Sequence, residues 1–478
     1  QGGRFDKAIT GADKLAVIFP EEAEVFNLKA GILIRQGKLV EAKENIERAL
    51  AVNPTLFPAK FNLAATESRL GNEARSAALV EELLALSPQH NETLMLKAFN
   101  LTKQGDIDNA KQIYLDILTL NPKNKTARER VSALYQQQGD IKSALYHLDL
   151  LLKDEFDNGD YLLRKAALLV SSNKQDDAEK VLSVASNFIN NAPNKLITYS
   201  DLMRRIDKSD DALDAMKKAY EASNKAPFVA FRYASLLLDL ENVPAAERVL
   251  KTLPKTQQQT PLYWFLTGRV FASKSADASA VDAYKKALAI EPRFAQAFIA
   301  LYNYALNEAF VDTFLDTARS LTKQNEDNLL AKNLLAQYLF FIREFDESIT
   351  LYQSLINEPD LLNPAEALNR LAIMHIDKSL VDASKYAERA YQAQPNASRI
   401  LDTFGWIKAL QGDYEGSLKM LRDAFSRDAQ DPNIRYHLGY TLSKLGRIEE
   451  AKAELIFAVN VERPFFMRPK AQALLDSL

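Results

Sequence analysis

Residues 91–124 read NETLMLKAFNLTKQGDIDNAKQIYLDILTLNPKN, and residues 125–158 read KTARERVSALYQQQGDIKSALYHLDLLLKDEFDN. Laid over one another they place Gly105-Asp106 on Gly139-Asp140 and Ala110 on Ala144, 34 residues apart. In each, the glycine can take the left-handed conformation that ends one helix, and the aspartate behind it can cap the next. Apolar residues recur at three- and four-residue spacing, as at Leu145, Leu148 and Leu152, which is helical periodicity. The unit is two helices joined by a tight turn, and no segment reads as a strand.

Working outward, prolines fall at Pro20, Pro54, Pro88 and Pro122 and glycines at Gly3, Gly37, Gly71, Gly105 and Gly139, two independent landmarks on one 34-residue period. That period, with a small residue near its middle and a proline near its end, resembles the tetratricopeptide repeat. The resemblance implies an all-α fold, a right-handed α-solenoid of about 13 helix-turn-helix units starting near residues 23, 57, 91, 125, 159, 193, 227, 261, 295, 329, 364, 398 and 432. Position 20 of successive units reads Ala42, Ser76, Ala110, Ala144, Ala178, Ala212, Ala246 and Ala280. A small side chain there lets the helices approach closely. Phe314 and Ser348 break the pattern, and a one-residue shift falls between Pro359 and Pro364. The register recovers at Gly405 and Gly439, and at Gly412 and Gly446.

Two-helix units cannot bury their apolar faces alone, so residues 23–465 are expected to form one quasi-linear body stabilised by stacking neighbours. Residues 1–22 hold only the second half of a repeat, which predicts that the natural protein extends further at its N-terminus. Residues 466–478 read as a C-terminal cap, with Pro464 and Pro469 bracketing a turn before the helix from Lys470 to Leu478.

The chain has 478 residues, 60 basic against 63 acidic, 47% hydrophobic residues and no cysteine. A net charge of -3 provides no positive field for nucleic acid. The absence of cysteine excludes disulfides, thiolate zinc sites and cysteine nucleophiles. No stretch reaches the roughly 18 apolar residues of a membrane span. His90, His147, His375 and His437 lie far apart and read as solvated or core residues rather than metal ligands. Neither phosphate-binding glycine loops nor a nucleophile elbow is present. No catalytic residue, metal or cofactor is expected.

Function in such a stack sits on its concave surface. In the tetratricopeptide family the first helix of each unit lines it, chiefly through positions 2, 5, 9, 12 and 13. Carried over, that rule turns Phe228, Phe231, Phe265, Arg269, Ile299, Asn303, Asn333, Gln337, Phe340 and Phe341 towards the groove, with Trp264 left to the core. Asp402 and Trp406 take positions 5 and 9 of one unit, and Tyr436 and Tyr440 the same positions of the next. Trp406 has an alternative role, packed against the bare Cα of Gly439. Aromatic faces among amides and an arginine suit protein or peptide segments, with polysaccharide a further candidate.

The stretches Leu401-Asp402-Thr403-Phe404-Gly405-Trp406 and Ile434-Arg435-Tyr436-His437-Leu438-Gly439-Tyr440 resemble the last repeats of the bacterial tetratricopeptide protein associated with the exosortase and PEP-CTERM sorting machinery. That resemblance implies a non-catalytic scaffold of the cell envelope, periplasmic or lipid-anchored at the outer membrane, supporting exopolysaccharide export or surface-protein sorting. The signal and lipidation cysteine of such a protein are absent from this sequence. The alternatives are a cytoplasmic adaptor or co-chaperone that binds peptide segments, and the scaffold part of a larger enzyme.

Overall fold

A computed structural model of the chain describes residues 2–463 and 465–478, with side chains from Phe5 onward. Gln1, the side chain of Arg4, and Pro464, which the sequence places at the terminal turn, lie outside the described residues. Among the described residues there are 28 α-helices, one three-residue 3-10 helix and no strand. The fold is all-α, a solenoid of helix pairs. Between the single helices Gly2–Ile18 and Arg468–Asp476, the first helices of the pairs begin at Ala23, Phe57, Asn91, Lys125, Gly159, Pro193, Pro227, Pro261, Ala295, Leu329, Pro364, Ser398 and Pro432. The structure is described as two compact units, residues 1–229 and 230–478. Within each unit a helix pair packs chiefly on the pairs next to it in the chain.

The Gly-Asp turns take the form their chemistry requires. Gly105, Gly139 and Gly412 have φ of 83°, 77° and 88°. The carboxylates behind all three accept from backbone N–H groups three residues on, Asp106 from Asn109 at 3.5 Å, Asp140 from Ser143 at 3.0 Å and Asp413 from Gly416 at 2.9 Å. The same left-handed position continues without glycine at Asn173, Asp207, Glu241, Ser275 and Arg343, with φ between 56° and 66°. The turn geometry is therefore set by helix packing, and glycine only lowers its cost.

Position 20 is a close contact throughout. Ala42, Ala110, Ala144, Ala178, Ala212, Ala246 and Ala280 are fully buried. Where serine stands at this position its hydroxyl crosses to the partner helix, Ser76 donating to the Ala64 carbonyl and Ser348 to that of Ala336, both at 2.8 Å. Phe314 is the exception that the pattern flags, and its ring is buried among Phe298, Tyr302 and Tyr338, with centroids 5.2 to 5.6 Å away. The one-residue shift before Pro364 is absorbed at Asn363, which adopts φ 60° and caps the following helix by accepting from the Glu366 amide at 3.3 Å.

Candidate functional site: a cleft lined by four first helices

In the second unit, the first helices of four successive pairs, Leu329–Phe341, Pro364–His375, Ser398–Leu410 and Pro432–Lys444, line a cleft of about 520 Å³. Phe340 comes from the first, and Glu366, Asn369, Arg370 and Ile373 from the second. Arg399, Asp402, Thr403 and Trp406 come from the third, Asn433 and His437 from the fourth, and Met467 from the segment after the last pair.

At its floor, the Nδ1 of His437 donates to Oδ1 of Asp402 at 2.8 Å, and each residue is only 8% exposed. A carboxylate can only accept, so this bond fixes the ring orientation and leaves Nε2 without a partner among the described residues. One helical turn beyond Asp402, Trp406 lies flat on the His437 ring, with centroids 4.3 Å apart and planes 17° apart. Tyr440 meets the indole edge-on at 5.0 Å, and Tyr436 stands behind it at 5.7 Å. Burial pushes the Tyr436 hydroxyl up from its ordinary range, and its ring packs into the core against Phe465.

The second helix closes the opposite wall. Arg370 donates from Nε to Glu366 at 3.1 Å and from Nη1 to the Tyr352 hydroxyl at 2.7 Å. Burial raises Tyr352 to about 12, so it remains a neutral acceptor. The carboxylates of Glu366 and Asp402 are thus each satisfied inside the cleft. Two groups are not. Asn369 is 3% exposed, yet its Oδ1 has no hydrogen-bond partner. Arg399 is exposed at the rim and makes no hydrogen bond or ion pair through its guanidinium among the described residues.

Several expectations need correcting. The Cβ that Gly439 lacks would sit 2.8 Å from Leu455 Cγ, so its bare Cα admits Leu455, and Trp406 packs on His437 instead. Phe231 is buried, and Phe265 packs against Tyr284 and Phe294 at 6.0 and 5.8 Å. Their rings are large enough to fill the space between helices and are spent there. Arg269 is held by Asp239 at 2.9 Å. Asn303 is exposed, Asn333 and Gln337 are half-buried, Ile299 and Phe341 are exposed, and none of these lines the cleft. Phe228, in the first unit, is exposed. Among the groove residues expected from the sequence, Phe340, Asp402 and Trp406 do line the cleft.

Sequence reasoning passed over Asn369, Arg370 and His437, which stand at positions 6, 7 and 6 of their units. It also passed over Arg399, whose position 2 would have marked it. Among the described residues no group of three or more acidic or histidine side chains could hold a metal ion. No described helix is long and apolar enough to cross a membrane.

The geometry defines a helix-pair repeat protein with a ligand-sized concave cleft. Family profiles of the tetratricopeptide repeat match residues 92–124, 207–270 and 409–460, and those stretches are tetratricopeptide repeats. The BBSome complex member BBS4 of Mus musculus is 27% identical over 143 residues, covering 30% of this chain and 28% of that one. The protein O-mannosyl-transferase TMTC3 of Homo sapiens is 30% identical over 105 residues, covering 22% and 12%. The chain therefore spans less than a third of either relative. Among solved structures, yeast Tom70 is similar with a TM-score of 0.39 and 14% identity over 95% of this chain and 99% of that one. The Cut9-Hcn1 hetero-tetramer of the APC/C gives 0.37 and 15% over 98% of each.

Proposed function

We propose that the chain is a non-catalytic protein-interaction scaffold that holds an extended segment of a partner protein in the cleft between Phe340 and His437. The observation that carries this reading is Asn369. A buried acceptor left unpaired costs about 1–3 kcal/mol, and the backbone N–H of an extended chain is the donor that would relieve it. The surrounding polar groups are already engaged, Arg370 in an ion pair with Glu366 and His437 in a hydrogen bond with Asp402. A peptide backbone can enter without displacing either. Trp406, Phe340 and Ile373 offer apolar contact, and Arg399 offers one free cation at the rim.

The cellular setting we propose is the bacterial envelope, in support of exopolysaccharide export or PEP-CTERM protein sorting. That part rests on the resemblance of the stretches around Trp406 and His437. Polysaccharide is kept as a second class of occupant. A further reading, the repeat part of a larger enzyme, is supported by the transferase name of one relative.

Photo-crosslinking from the cleft in cells, followed by affinity measurement on the captured partner, tests the binding reading. Asn369→Leu and Trp406→Ala variants that remain folded should bind that partner at least tenfold more weakly. Undiminished affinity in both would overturn the cleft as the binding site. Fractionation of cells tests the setting separately, since recovery in the cytosol would remove the envelope role and favour the adaptor.

A further inference from the structure

The chain after the last helix pair returns across the cleft. Its two ends are pinned. Phe465 is buried with Tyr436, Leu455 and Ala471, and Arg468 donates to the carbonyls of Val459 at 2.9 Å and Arg463 at 3.0 Å. Between these anchors Phe466 projects outward, 73% exposed. Its ring nevertheless lies under the guanidinium of Arg343, 3.9 Å from the centroid. Arg343 belongs to the turn after the helix Leu329–Phe341, three helix pairs earlier in the chain. The contact thus joins the two ends of the same arc of helices that lines the cleft, and Met467, next to Phe466, forms part of the cleft wall.

We propose that the segment carrying Phe466 and Met467 is a strap over the cleft and that the Phe466–Arg343 contact is its latch. The inference rests on the cleft being the binding site and states how that site is entered. With the latch closed, helices and strap form a ring, which a folded partner cannot thread. An extended segment enters when Phe466 lifts. A cation over an aromatic ring between two exposed groups is a weak contact, and loops of this length move on the nanosecond to microsecond scale, so the latch opens without unfolding the anchors. Arg343 supports a role for its side chain in another way. Its exposed guanidinium has no hydrogen bond or ion pair among the described residues, and the Phe466 ring is the group that it covers.

Trp406 lines the cleft and Trp264 is the other tryptophan of the chain, so a Trp264→Phe background makes Trp406 the reporter. Acrylamide quenching needs no partner, which separates failure of the strap from failure of the binding reading. Phe466→Ala and Arg343→Gly should each raise the quenching constant about twofold, the pair together no more than either alone, and Arg343→Lys should stay near the parent value. Arg343→Gly relieves the backbone, so a loss of fold does not confuse the result. Unchanged quenching in both single variants, or effects that simply multiply in the double variant, would overturn the latch. For the occupant, the probe is one small protein in its native form and in its reduced, carboxymethylated, unfolded form. Shielding of Trp406 by the unfolded form alone is the expected result, and equal shielding by both, or by neither, would overturn the ring.

Discussion

Trp406 is stacked on His437, ring centroids 4.3 Å apart, and the other edge of that imidazole is tied to Asp402 at 2.8 Å. Two consecutive repeats are joined at this point by a polar bond and an aromatic contact made by the same side chain. The pairing explains why a half-buried indole can line a cleft and still be held in one orientation, which is what a recognition surface requires.

The stack gives Trp406 a structural share as well as a binding one. Trp406→Ala should cost about 2 kcal/mol, less than the ~3–5 kcal/mol of a fully buried aromatic, because one side of the indole faces the cleft. Urea denaturation measures it, and a loss as large as that of a core residue would mean the indole is not available to a ligand.

The Asp402–His437 bond should show a large coupling. His437→Leu leaves a buried carboxylate without its donor and should cost about 2 kcal/mol. In the Asp402→Leu, His437→Leu double variant most of that penalty should disappear, giving an interaction energy of about 1–3 kcal/mol in a double-mutant cycle. Additive losses would show that the bond contributes nothing in solution.

The close approach at position 20 has no room to expand. Ala110→Leu or Ala144→Leu should destabilise by about 1–3 kcal/mol through overpacking. Chemical denaturation of each single variant checks the repeat register, which an unchanged midpoint would contradict.

His147 should make stability depend on pH. Its ring is buried against Tyr135, stacked at 5.7 Å, and its Nδ1 has no partner. Burial first, and the Arg128 charge second, hold it below the usual imidazole value of 6.5. The unfolded chain therefore takes up a proton that the folded chain resists. The stability tied to the neutral ring is complete above pH ~6.5 and is lost as pH falls from there towards the depressed folded value. In His147→Phe, the decline of the urea midpoint between pH 7 and pH 5 should be shallower than in the parent. An identical slope would remove His147 as its source.

The helix pairs and their starts can be read from the amino acids alone, because a 34-residue period of glycine, small residue and proline records constraints that lie within one unit. Ala110, Gly105 and Asp106 each answer to neighbours a few residues away in the chain or in the adjoining helix. Asp402 and Trp406 were legible as groove residues for the same reason, since position in the unit fixes the face of the helix. Relations between one repeat and another emerge only in the folded chain. The spacing does not reveal that Asp402 bonds to His437 one repeat on, that Gly439 admits Leu455 rather than an indole, or that Phe231 and Phe265 fill the core. It also does not show that Arg343 meets Phe466 across three pairs. Those outcomes depend on the angle at which one pair packs on the next, and that angle is set by the volumes of many side chains at once, a quantity no single repeat carries.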